Sequence, residues 1–222
     1  MESLLNLVRK QLPVIGTICL TVLLPIVVIY VVVAFQPFVP FSVLVRDANI
    51  TAYDPANGVM FYRGALSNIG ILLWWAAATV YAFTAFLLHN NRPDFALRKT
   101  FLVYMAVFTG LLALDDLFMF HEEVLPVRLG IPELVMYAVY GMLAAGLVGF
   151  VRVLLGTDFL VLGLAFGFFA FSILTDQEIL HVLLNLPDGA FLLAEDLAKM
   201  LGIVCWLIFS LRTSAKLLVK QA

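Results

Sequence analysis

The sequence predicts an all-α, polytopic membrane bundle of about six transmembrane helices, with the N and C termini cytoplasmic. Three observations carry that expectation: the composition, the length of the apolar runs, and the uneven placement of lysine and arginine. Of 222 residues, 64% are hydrophobic and only 13% charged, where a soluble domain carries about a quarter. Mean hydropathy is +1.06. Water cannot accommodate so much apolar surface, whereas hydrocarbon solvates it directly, and a helix crosses with about 20 apolar residues. The runs are continuous and lack two-residue alternation, which points to helices rather than a barrel.

The first run, 12–35, follows Arg9 and Lys10. It is too long for the apolar region of a secretory signal, and no small-residue cleavage site follows it, so it is read as a retained helix. An outer loop at 36–64 holds prolines, Asp47, Asp54 and several aromatics, and is expected to fold over the membrane surface. The remaining helices are expected at 65–88, 100–120, 134–154, 159–183 and 191–211, within one transmembrane domain covering 1–222. Cys19 and Cys205 both fall inside apolar runs, which suits buried thiols better than a disulfide framework. Gly163 and Gly167 form a GxxxG pair, and Ala145 and Gly149 a small-xxx-small pair, both read as points of close helix approach. Trp74, Trp75 and Trp206 read as packing or interface residues.

Direction comes from the basic residues. With the N-terminus inside, the inner segments hold Arg9, Lys10, Arg92, Arg98, Lys99, Arg152, Arg212, Lys216 and Lys220, against Arg46, Arg63 and Arg128 in the outer loops. Acidic residues run the opposite way, for only Glu2, Asp94 and Asp158 fall inside. The inner charge favours anionic lipid headgroups. The outer acidity suits cations and excludes nucleic acid as a partner, since no basic, aromatic-interleaved surface is present.

Three segments carry unusual chemistry. The third helix ends in Asp115, Asp116, His121, Glu122 and Glu123; the fifth ends in Asp176, Gln177, Glu178 and His181; the sixth begins with Glu195, Asp196 and Lys199. In the topology above, all three lie near the outer face. At about 100° per residue, Asp115 and Glu122 share a helix face, whereas His121 points away from Asp115 unless the helix has ended or unwound there. Glu178 and His181 lie on one face, and Glu195 can pair with Lys199 one turn on. Charge at depth in lipid is costly, so Asp115, Asp116, Glu178, His181, Glu195 and Asp196 should face other helices, pair, bind a cation, or be partly protonated.

The leading expectation is a divalent metal (Zn, Fe or Mn) held by Asp116, His121, Glu178, His181 and Glu195, acting on a membrane-soluble substrate. Asp115, Asp196, Lys199, Gln177 and Asp176 would form the supporting polar network. Glu178-x-x-His181 has the spacing used in di-iron bundles, although such sites use the motif twice. A second reading makes the chain a non-catalytic accessory or structural subunit of a larger membrane complex, its polar centre a helix-pairing network. A third is proton or cation transport or sensing. His89 reads as an interface histidine, and Asn49-Ile50-Thr51 as a glycosylation sequon on the outer side.

The Leu114-Asp115-Asp116…His121-Glu122, Glu178-x-x-His181 and Glu195-Asp196-x-x-Lys199-Met200-Leu201-Gly202 segments resemble a loose group of uncharacterised prokaryotic multi-pass membrane proteins. That group pairs a "Leu-Asp-Glu…His-Glu" helix with a later "Glu-Glu…Glu-Met-Leu-Gly" helix. Asp116 and Asp196 replace glutamates of the pattern, and Lys199 stands where the pattern has a third acid. A lysine there would repel a bound cation or occupy its place. The resemblance implies a shared polar site and brings no activity with it. It fits a prokaryotic inner membrane, or an equivalent such as the thylakoid, with the polar centre on the periplasmic, extracellular or lumenal side.

Overall fold

Long apolar runs become long helices in the computed structural model, which describes residues 4–45, 62–88, 93–176 and 188–219. These residues form helices α1 (Leu4–Phe35), α2 (Phe41–Val45), α3 (Ala65–Leu87), α4 (Pro93–Phe118), α5 (Leu134–Leu154), α6 (Phe159–Asp176) and α7 (Asp188–Val219). A wide-turned segment, Phe120–Arg128, lies between α4 and α5. No strand occurs among the described residues. His89 and Asn49-Ile50-Thr51 lie outside them, as do Gln177, Glu178 and His181.

Among the described residues, five helices, α1, α3, α4, α5 and α6, are long and apolar enough to cross a membrane. The chain is thus a multi-pass membrane-helix protein. The sixth expected crossing is a helix, α7, but its sequence departs from the other five. Lys199 and Arg212 bracket its apolar stretch, Met200–Leu211. That stretch makes about 18 Å of helix at 1.5 Å per residue, against a hydrocarbon core of about 30 Å. Its middle is nonetheless buried: Cys205, Trp206 and Phe209 are fully enclosed. A helix buried at its middle does not have to match lipid along its whole length.

Helix α1 begins earlier than the apolar run suggests, and it stays continuous past Pro13. A wider turn at Cys19–Leu23 comes just ahead of Pro25. A proline inside a helix removes one hydrogen bond and crowds the preceding turn, and a local wide turn is a known accommodation.

Two compact units divide the chain: Met1–Gly70 with Leu160–Trp206, and Ile71–Phe159 with Leu207–Ala222. In the first, the Gln11 side chain accepts the backbone N–H of Leu160 at 3.0 Å, satisfying a donor at the start of α6. Further along α1, Cys19 lies near Cys205, and Tyr30 faces Asp196. The pairings advance along α1 as they retreat along α7, so those two helices run antiparallel. Trp206 packs against Phe166 and Phe169 with ring centroids 5.4 and 6.2 Å away.

In the second unit, α4 packs antiparallel on α5. Phe101 and Tyr104 meet Phe150 at 5.6 and 5.3 Å between ring centroids, and the Tyr104 hydroxyl donates to the Leu143 carbonyl. The close approaches use glycines other than those the spacing suggests. A Cβ on Gly163, Gly167 or Gly149 would meet nothing within 4 Å. On Gly202 it would collide with the Phe169 ring, and on Gly146 with the Tyr104 hydroxyl. A GxxxG spacing permits close approach without requiring it. The neighbouring aromatic ring decides where approach happens.

Candidate functional site

Helix α4 stops because Met119 turns left-handed, at φ 54° and ψ 45°. It is the one non-glycine described residue with positive φ, a conformation costing an L-residue about 1–2 kcal/mol. Asp115, one turn before the break, holds the chain in that shape. Its Oδ1 accepts the backbone N–H of His121 at 3.0 Å, and its Oδ2 lies 2.6 Å from His121 Nδ1. On a regular helix these residues would diverge. The break at Met119 is what brings them together.

The neighbouring carboxylate has its own partner. Trp74 of α3 donates its indole N–H to Asp116 Oδ2 at 2.9 Å. The Tyr140 hydroxyl of α5 is turned toward Asp115 and Asp116 without meeting hydrogen-bond geometry. Beyond the break, the His121 ring lies 5.9 Å from the Tyr137 ring, and Tyr137 donates to Glu133 at 2.6 Å. Asp115 is 2% exposed, so its charge depends on these neighbours rather than on water.

Both nitrogens of His121 face carboxylates, since Nε2 lies 3.3 Å from Glu122 Oε1. Burial pulls the imidazole pKa down. The hydrogen bonds to Asp115 and Glu122, and the charges of those two groups, outweigh burial and raise it to about 10. The site therefore favours the imidazolium form of His121, with Nδ1 hydrogen-bonded to Asp115 and Nε2 facing Glu122. In that state it has no lone pair to offer a metal. Glu123 pairs with Arg128 at 3.3 Å across an exposed surface, an arrangement worth about 0–1 kcal/mol.

The structure thus brings together Asp115, Asp116 and His121, all within the second unit. Glu195, Asp196 and Lys199 belong to the first unit. There Glu195 and Lys199 are half-buried, one turn apart on α7, and the Tyr30 hydroxyl faces Asp196 without meeting hydrogen-bond geometry. Asp176, the last residue of α6, is exposed. Among the described residues, no three His, Cys, Asp or Glu side chains are placed to hold a metal ion.

Sequence reasoning missed two features. The first is Trp74, read as packing. A buried indole N–H needs an acceptor, and a carboxylate on the next helix is a natural one. The second is Asp158, read only as inner-face charge. It sits 2% exposed in the turn before α6. There it takes Arg212 Nε on Oδ2 and Lys216 Nζ on Oδ1, each at 2.7 Å. Burial pushes its pKa up, but the two cations outweigh burial and hold the carboxyl below its usual range.

No curated protein and no solved structure matches the chain. A family model described as a domain of unknown function, DUF8692, matches residues 18–213, and the chain belongs to that family.

Proposed function

We propose that this chain is a non-catalytic integral membrane protein, an accessory or structural subunit of a larger membrane complex. In this reading its Asp/His centre locks a helix end and does not react. One observation carries the reading: Asp115 takes both the backbone N–H and the Nδ1 of His121 across the left-handed Met119. Asp116 is likewise engaged by Trp74, so neither carboxylate is left poised for substrate. The prokaryotic inner membrane, with this centre on its outer side, is the setting that the basic-residue asymmetry and the resemblance to prokaryotic multi-pass proteins support.

Purification from its native membrane in mild detergent tests the subunit role. The chain should emerge with larger membrane partners, and cross-linking with mass spectrometry should place them against it. Recovery only as a free monomer or homodimer, under conditions that keep known membrane complexes intact, contradicts it.

A second reading has a specific observation behind it. A carboxylate on one histidine nitrogen often orients the other toward a metal, and here Asp115 holds Nδ1 while Nε2 is turned to Glu122. In this reading a divalent ion displaces the Nε2 proton and is held by His121 and Glu122 with further ligands. Elemental analysis of the purified chain separates the two. Close to one equivalent of zinc, iron or manganese favours the metal, and under about a tenth of an equivalent favours the lock.

A further inference from the structure

The second cluster of buried charge does something the first does not, for it leaves cation donors unused. Asp158 is one carboxylate facing two cations, so the group carries a net positive charge. Arg212 contacts it through Nε alone, which leaves the terminal nitrogens of a planar guanidinium without a partner among the described residues. Lys216 uses one of its three donors. Both cation side chains are 40% exposed, while the carboxylate between them is 3% exposed. A pair made only for stability needs one cation. Here a second is held beside it, one helical turn along α7, with its remaining donors open.

Other positive charge collects at the same end of this unit. Phe101 meets Phe150 at 5.6 Å between ring centroids, which sets the first turns of α4, with Arg98 and Lys99, level with Arg152 in the last turn of α5. Asp158 itself lies between two segments able to cross a membrane, Leu134–Leu154 and Phe159–Asp176. A residue between the end of one crossing and the start of the next sits at headgroup depth.

We propose that Arg212 and Lys216, set in place by the buried carboxylate of Asp158, bind the phosphate of an anionic phospholipid headgroup, with Arg152 at the rim of the site. A guanidinium fork and an ammonium are the usual donor pair for a phosphodiester. The lipid's acyl chains would lie along the apolar surface of the adjoining helices. A zwitterionic headgroup offers the same phosphate but brings its own cation, so the site should prefer lipids with net negative charge.

The test uses the full-length chain in mixed micelles holding equal phosphatidylglycerol and phosphatidylcholine, with retained lipid counted by native mass spectrometry. Phosphatidylglycerol should be retained about fivefold or more over phosphatidylcholine. Lys216→Gln keeps the Arg212–Asp158 pair and should bring that ratio close to one. Arg128→Gln, on an exposed side chain in the Phe120–Arg128 segment, should leave it unchanged. If Lys216→Gln does not fold, Arg152→Gln serves, since Arg152 is exposed and makes no ion pair among the described residues; it should lower the ratio while leaving thermal stability intact. Equal retention of the two lipids by the unmodified chain overturns the proposal. So does an unchanged ratio in a folded Lys216→Gln or, in its place, Arg152→Gln. Displacement of the lipid by millimolar inorganic phosphate would mean that the site takes a free anion, which also overturns the assignment to lipid.

Discussion

At the scale of single residues, the molecule is governed by how it stabilises carboxylates removed from water. Asp115 and Asp158 are equally buried, and each is held by two contacts to neighbouring donors. Hydrogen bonds involving a charged group are worth about 1.5–3 kcal/mol each, enough to hold Met119 in its left-handed turn. The two sites should titrate in opposite directions. His121 has a folded pKa of about 10, above the ordinary 6.5. Its contribution to stability is therefore full below about pH 6.5 and declines as pH rises through about 10. Asp158, held below its usual range, contributes above about pH 3.9 and loses that contribution as pH falls through its folded value. Thermal unfolding in detergent from about pH 6 to about pH 11 checks the first. The unmodified chain should lose stability over the alkaline part of that range, and His121→Ala should start lower and lack that loss. Part of this was legible from sequence: the spacing of Asp115 and His121 already required a broken helix if they were to meet. Trp74 was not legible, because nothing in a tryptophan's sequence position says which acceptor its indole will find.

At the scale of elements, apolar length fixed which segments are helical, while packing detail escaped the sequence. The Gly163/Gly167 spacing is a permissive pattern, and at neither glycine does anything approach where a side chain would stand. Neither Gly202 nor Gly146 has a second glycine at that spacing, yet each faces an aromatic side chain that leaves no room for a methyl group. Gly202→Ala should cost about 1–3 kcal/mol through displacement of the Phe169 ring. Gly163→Ala should be neutral or stabilising by up to about 1 kcal/mol, because alanine is the better helix former. Equal Tm shifts for the two variants in the same detergent would show that both positions pack alike. The breaks between elements follow local chemistry. Helix α4 ends at a left-handed residue stabilised from behind by Asp115, and α1 takes a wide turn ahead of Pro25. Such features depend on side-chain partners that a hydropathy profile does not register. The extent of α7 was hidden for a related reason: its charges interrupt the apolar run, although its centre is buried.

At the scale of the whole molecule, charge is sorted more strictly than composition requires. Basic residues gather in the segments assigned to the inner side and acidic residues in those assigned to the outer, although the net charge is only −2. That sorting is a reading of the sequence, resting on the inside and outside assignments made there. The meaning of the polar residues was not legible there, since the same aspartates and histidine suit a metal, a proton path or a lock until their partners are known. Within the second unit their partners include a backbone N–H, an imidazole and an indole, and the proposed lock rests on those partners. The most direct test is thermal unfolding of the unmodified chain and of Asp115→Asn, each with and without a strong chelator and with zinc restored afterwards. The lock requires that Asp115→Asn lower the Tm by the equivalent of about 1.5–3 kcal/mol, and that the chelator leave the unmodified chain unchanged. A chelator that brings the unmodified chain down to the level of Asp115→Asn, reversed by added zinc, would contradict it.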